Sequence, residues 1–290
     1  LSNIHFVADS RGGKYRSRRL KGRRKGRKAY RRHKGRNGRK GRAGRRSTGR
    51  AITLHNGMKR FSSKYQAPTV YASKGFCSLA GVARGYTSLM ATLPANCRPA
   101  QGRLIFGAMY GGAMARIDIL QNGQVYYIAG GRPSASAYLA FNGISFATGN
   151  RGARSWGLVN GWVNYGSGYR AAQHNLIGGA CSLSGIIRSG RWGHFANVAS
   201  SCRPVGGRLI FSANNHQNVA RVDIAAAGQV VFSGGHNQHG WVSFDGMLWT
   251  ANGGKALALR NGWSNYANGY RGAQYRRAGR LCVVSGLIRS

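Results

Sequence analysis

The chain has 290 residues, with 45 Lys and Arg against four Asp and no Glu, a formal net charge of +41. That balance points to a negatively charged partner, and it leaves very few acids for hydrolysis by paired carboxylates, which needs two in one place. No apolar run reaches the roughly eighteen residues of a membrane-spanning helix.

The first predicted element is a basic arm, taken as residues 1–52. Residues 11–50 hold 21 of the 45 basic residues and no acid. Folding such a segment alone would crowd like charges with little apolar area to bury, so it is expected to be disordered until a polyanion arrives. It is too long to be only a nuclear-localisation patch or a solvated charge run. The candidate nucleic-acid contacts are Arg16, Arg18, Arg19, Lys21, Arg23, Arg24, Lys25, Arg27, Lys28, Arg31, Arg32, Lys34, Arg36, Arg39, Lys40, Arg42, Arg45 and Arg46, with Tyr15 and Tyr30 as rings for unpaired bases. Nucleic acid is the expected polyanion, ahead of acidic glycan or a mineral surface. Frequent Gly fixes no side chain against a base edge, so sequence-specific readout is not expected. Extended, forty residues reach about 130–145 Å; as a coil they span about 35 Å.

From Thr53 the chain repeats itself. "LHNGMKRFSSKYQAPTVYASKGFCSLAG" from Leu54, "LVNGWVNYGSGYRAAQHNLIGGACSLSG" from Leu158 and "LRNGWSNYANGYRGAQYRRAGRLCVVSG" from Leu259 share one register. The first two copies continue through "CRPAQGRLIF" and "CRPVGGRLIF", then "ARIDILQNGQV" and "ARVDIAAAGQV". A period near 100 residues is that of a small domain rather than a solenoid turn. The expected organisation is module 1 over 53–156, module 2 over 157–256 and a partial third repeat over 257–290. The start at Leu1 and the stop within the third copy fit either a fragment or a last segment that pairs with another chain or module. No signal peptide is legible at the start of the sequence.

Within each copy, short β-branched and aromatic runs such as "RLIF", "ARIDI" and "QVYYIA" are cut by Gly, Asn and Pro. No stretch keeps a helical period. The fold class is therefore all-β: tandem antiparallel β-sandwich modules preceded by a disordered polybasic arm. Asn122-Gly123 predicts a tight hairpin turn with positive φ at both central residues.

Three features bear on chemistry. Cys77 and Cys97 sit 20 apart, and Cys181 and Cys202 sit 21 apart at matching places. The simplest reading is two intramodule disulfides with Cys282 the first half of a third pair; the alternative is five buried thiols. In module 2, Asn214, Asn215, His216, His236, His239 and Trp241 are the candidate glycan site, with the ring to stack on a sugar and the polar groups to bond its hydroxyls. Asp118 and Asp223 share a repeat position beside Arg116 and Arg221, which reads as strand architecture. No nucleophile elbow, phosphate loop or HExxH occurs, and no CxxC. Catalytic residues, cofactors and metals are not expected.

The order "NGW…NYG…Y…C.VSGLIR.G.WG…CRP…GRLIF…ARVDI…GQV…GG…GWVSFDG" resembles the repeated β-sandwich module of phage tail and fibre proteins and of marine algal proteins, similar in outline to H-type lectins. The resemblance covers about residues 53–290. It implies an adhesive module that trimerises or runs in tandem and often binds surface carbohydrate. The first copy departs from it, with Met58 where Trp162 and Trp263 stand, so a ligand is expected on the second module. The arm resembles the Arg-rich arms of small virus capsid proteins and of ribosomal proteins. The function expected is thus a non-enzymatic virion structural protein, homo-oligomeric, binding nucleic acid through the arm, with carbohydrate a further partner. The alternatives are a structural protein of a ribonucleoprotein such as an organellar ribosome, or a secreted matrix or cell-wall protein that binds acidic glycans.

Overall fold

The structure, a computed structural model, describes residues 4–7, 49–73, 75–149, 153–278 and 281–290. Of the expected disordered arm, residues 1–52, residues 1–3 and 8–48 lie outside the described residues. Everywhere else the chain is all-β, with two short 3-10 turns and no α-helix among the described residues.

Alternation sets each strand's faces. Along Leu104–Tyr110, Leu104, Phe106, Ala108 and Tyr110 are buried, while Gly107 and Met109 are exposed; the period of two puts the apolar set against the core. The partner strand Ala113–Ile119 pairs with it residue for residue, Ile117 opposite Phe106 and Ile119 opposite Leu104. Each large aliphatic or aromatic side chain so enclosed contributes about 1.5–3 kcal/mol.

Module 1 is a sandwich of two sheets. One runs Ser145–Ala147, Phe76–Ala80, Thr69–Ser73, Arg50–Ala51; the other is eight-stranded, with Gln124–Gly130, Ala113–Ile119 and Leu104–Tyr110 at its centre. Module 2 repeats the plan with a four-stranded sheet and a seven-stranded one centred on Leu209–Asn215, Asn218–Ile224 and Gln229–Gly235. Met58 and Trp162 both lie in their cores, 5% and 3% exposed, so the Met-for-Trp difference is a packing exchange. Disulfides join Cys77 to Cys97 and Cys181 to Cys202, with Cα–Cα distances of 5.2 and 5.7 Å. Loops of that size are worth about 3 kcal/mol each. Cys282 is free and buried.

One expectation needs correction. The hairpin at Asn122-Gly123 exists, but its turn is not the two-residue type. Only Gly123 has positive φ, at 87°, and Gly123 N–H donates to Leu120 O at 2.9 Å while the Asn122 side chain accepts from Gln124 N–H. The counterpart turn in module 2 closes the same way, Gly228 N–H to Ala225 O, with no Asn at all. The Gly decides this turn.

The small sheets mark where strands open each repeat. Arg50–Ala51, Ala153–Ser155 and Lys255–Ala256 each open a repeat by pairing within its small sheet, a few residues before the expected module starts. Ile4–Val7, expected in the arm, is instead a strand of the body, antiparallel to Leu281–Ser285.

The three small sheets follow one another in a cycle. Ser145–Ala147 lies against Ala180–Ser184, Met247–Trp249 against Leu281–Ser285, and Ile4–Val7 against Phe76–Ala80. Phe76, Ala180 and Leu281, each directly before a repeat's cysteine, meet in one apolar cluster with Leu248 and Val283.

Candidate nucleic-acid interface and the repeat junctions

The junction between consecutive repeats is built from motifs that recur in step. Arg103 N–H donates to Gly168 O at 2.8 Å and Arg170 N–H returns to Arg103 O at 3.1 Å; one repeat later, Arg208 N–H reaches Gly269 O at 2.8 Å and Arg271 N–H reaches Arg208 O at 3.0 Å. The "GRL" segment of one repeat is thus clamped by the "GYR" segment of the next. Glycine is needed there because the neighbouring backbone comes too close for a Cβ. At Gly102, with φ +58°, an added carbon would sit 2.4 Å from Arg170 N.

Arg170 and Arg271 are the bolts, 2% and 1% exposed. Arg170 donates to Gln101 O and Ala147 O at 2.9 and 3.1 Å, and Arg271 to Thr250 O and Ala251 O at 2.9 and 3.0 Å. Burial lowers the pKa of both, that of Arg271 to about 10, since desolvation disfavours the charged form.

The carboxylates are consumed at the same places. Asp118, 0% exposed, accepts from Arg116 through both oxygens at 2.8 Å and pairs with Arg103; Arg116 also donates to the Tyr169 hydroxyl at 3.0 Å. Asp223 repeats this with Arg221, Arg208 and Tyr270. Burial works against the Arg116 charge, yet the bond to Asp118 outweighs it and the pKa is raised. Asp245 accepts from Gly185 N–H and from Ile105 N–H of the preceding repeat, each at 2.8 Å, and from the Ser243 hydroxyl. Burial pushes its carboxyl above the usual Asp range. Asp118 and Asp223 are therefore architectural, as their repetition implies.

All three described carboxylates thus have internal partners, while the described cations other than Arg116, Arg170 and Arg271 lie at or near the surface. One group stands out. Lys255, Tyr275, Arg276 and Arg277 line a shallow groove with Gly253 and Gly254. Tyr275 is 38% exposed, a ring set among three cations and suited to a base beside phosphate. Sequence reasoning passed over it, although "QYRRA" carries the signal of an aromatic flanked by Arg. The arm residues Tyr15 to Arg46 proposed for the same role lie outside the described residues.

The six residues expected to form a glycan site divide. His216 stacks on His239 with ring centres 4.8 Å apart, His236 lies 5.1 Å from His239, and His236 Nδ1 is 2.6 Å from Asn215 Oδ1. Asn215 also donates to Trp241 O. Burial, then the charges of His216 and His236, lower the His239 pKa. Trp241 is 9% exposed, its ring under Arg116 at 5.3 Å and near Tyr165. It seals the junction between modules 1 and 2 and offers no open platform. Asn214 turns to the other side of its strand, into a cleft of about 220 Å³ between the modules lined by Phe106, Met114 and Asn142. Among the described residues no group of His, Cys, Asp and Glu is arranged to hold a metal ion.

No family model, curated protein or solved structure matches the chain.

Proposed function

We propose that this protein is a non-enzymatic structural protein of a virion, which binds nucleic acid through its basic segment without sequence specificity and builds shell or fibre from its β-sandwich repeats. The observation that carries this reading is the separation of charge: every described carboxylate is occupied inside the body, the described cations other than Arg116, Arg170 and Arg271 lie at or near the surface, and residues 11–50 hold 21 of the 45 basic residues with no acid. A surface with no competing acid attracts a polyanion along its whole length. The two disulfides favour an oxidising setting, which suits a virion better than an intracellular ribonucleoprotein. On this reading the repeats are modules of the phage tail and fibre kind that their motif order resembles. The proposal does not extend to a glycan on module 2, because the Trp241 ring that a sugar would need is covered.

A second reading, a secreted matrix protein that binds acidic glycans, is favoured by the same disulfides. Binding of a single-stranded oligonucleotide and of a sulfated glycan, each measured against salt, separates the two. On the first reading the oligonucleotide binds more tightly, its log affinity falling with log salt by about 0.7 per phosphate neutralised. A chain lacking residues 14–46 should lose at least tenfold in affinity and most of that slope. Equal affinity with and without those residues would overturn the proposal.

A further inference from the structure

The strand Ile4–Val7 holds a position that two other strands hold in the other repeats. It pairs antiparallel with Leu281–Ser285, Phe6 opposite Cys282 and Val7 opposite Leu281. In module 1, Phe146 stands opposite Cys77 and Ala147 opposite Phe76; in module 2, Trp249 stands opposite Cys181. An aromatic residue thus stands opposite the first cysteine of every repeat in the pairing register. The sequence agrees: "SNIHFVADSRG" from Ser2 aligns without a gap on "NGISFATGNRG" from Asn142, sharing Ile, Phe, Arg and Gly at four matching positions. The neighbours agree as well, since Ile4–Val7 lies against module 1's Phe76–Ala80 as Ser145–Ala147 lies against Ala180–Ser184 and Met247–Trp249 against Leu281–Ser285.

We infer that Ile4–Val7 is the closing strand of the third repeat, and that the basic segment is an insertion in the link from one repeat's closing strand to the next repeat's opening strand. In the other two places that link is residues 148–152 and residues 250–254. In the third it is residues 8–49, expanded to hold nearly half of the protein's basic residues. Residues 8–49 therefore connect two strands of the body instead of preceding its first strand. A chain that must return to its origin reaches about half as far, roughly 65–70 Å at full extension. This deepens the proposed function by placing its basic residues between two strands of the body. The strand assignment itself rests on pairing and register, so it stands or falls apart from polyanion binding.

The free Cys282 supplies the test, because its register partner is Phe6. Phe6→Cys in the full chain, treated with a thiol oxidant in high salt after nuclease digestion, should join residue 6 to Cys282 within one chain. The readout is peptide mapping without reduction, with the chain running as a monomer on a non-reducing gel. His5→Cys, whose register partner is Val283, should give less than about a tenth of that link. Phe6→Cys failing to link, or both variants linking equally, would overturn the assignment of the strand. A link found only in disulfide-bonded dimers would overturn the closure within one chain and show strand exchange between two copies. High salt and nuclease keep a bound polyanion from deciding the result.

Discussion

Tyr169-Arg170 and Tyr270-Arg271 occupy the same repeat position as Tyr65-Gln66, and the three pairs meet different surroundings. In the second and third repeats the Arg is buried against carbonyls of the repeat before it. In the first, no described segment covers the position: Tyr65 is 51% exposed and Gln66 is exposed. A buried guanidinium is tolerated only where its protons find acceptors, because desolvating it unpaired costs several kcal/mol. The Arg is thus a residue of the junction, not of the module. Where no junction forms around it, a neutral amide suffices.

The largest effect expected is at the second repeat. Arg170→Gln removes the donors to Gln101 O and Ala147 O inside a closed junction, so we expect a loss of about 2–4 kcal/mol. For a body of this size that is a fall of roughly 5–15 °C in the unfolding midpoint, to be read by calorimetry on the full chain. A midpoint within 1 °C of the wild type, to order of magnitude the resolution of such a shift, would show that the junction does not depend on its bolt.

A smaller effect is expected where the first two repeats differ by one atom. Asn142 and Asp245 both accept from a glycine N–H through Oδ1, at Gly81 and Gly185, but Asp245 Oδ2 also accepts from Ile105 N–H across the junction. Asp245→Asn places an N–H group against that donor, and should cost about 1–2 kcal/mol. Amide hydrogen exchange reports it locally: Ile105 should lose protection while Gly185 keeps it.

The smallest effect sharpens the contrast from the other side. Gln66→Arg installs the junction residue where the Gln66 side chain now meets only the Tyr71 hydroxyl, in an exposed bond of 3.1 Å, so stability should change by no more than about 0.5 kcal/mol in chemical denaturation. A gain of 2 kcal/mol or more, the scale of a large single-site effect, would mean that position 66 already has a partner surface.

Much of this molecule was legible in its residues. The all-β class follows from short β-branched runs cut by Gly and Asn, and the cysteine pairs from their nearly equal spacing, 20 and 21 residues, at matching places in two copies. The repeat could be read because its Gly and Asn punctuation survives substitution of the core, as Met58 for Trp162 shows. The Asp118–Arg116 pairing was legible as architecture because a duplicated acid is seldom a catalyst.

What the sequence could not rank was which face each loop residue takes. Asn214 and Asn215 are neighbours, yet one turns to the cleft and the other to the histidines, because side chains alternate along a strand and the register comes from the partner strand. Trp241 looks like a sugar platform until a second module brings Arg116 over its ring. Ile4–Val7 is too short to be called a strand from its own composition; only the open edge of Leu281–Ser285, nearly the whole chain away, makes it one. Composition and local pattern set the charge, the strand-forming runs and the repeat, since those depend on residues near in sequence. Which edges, rings and buried cations found partners was decided by contacts between distant segments, whose free energy exists only once the repeats are packed together.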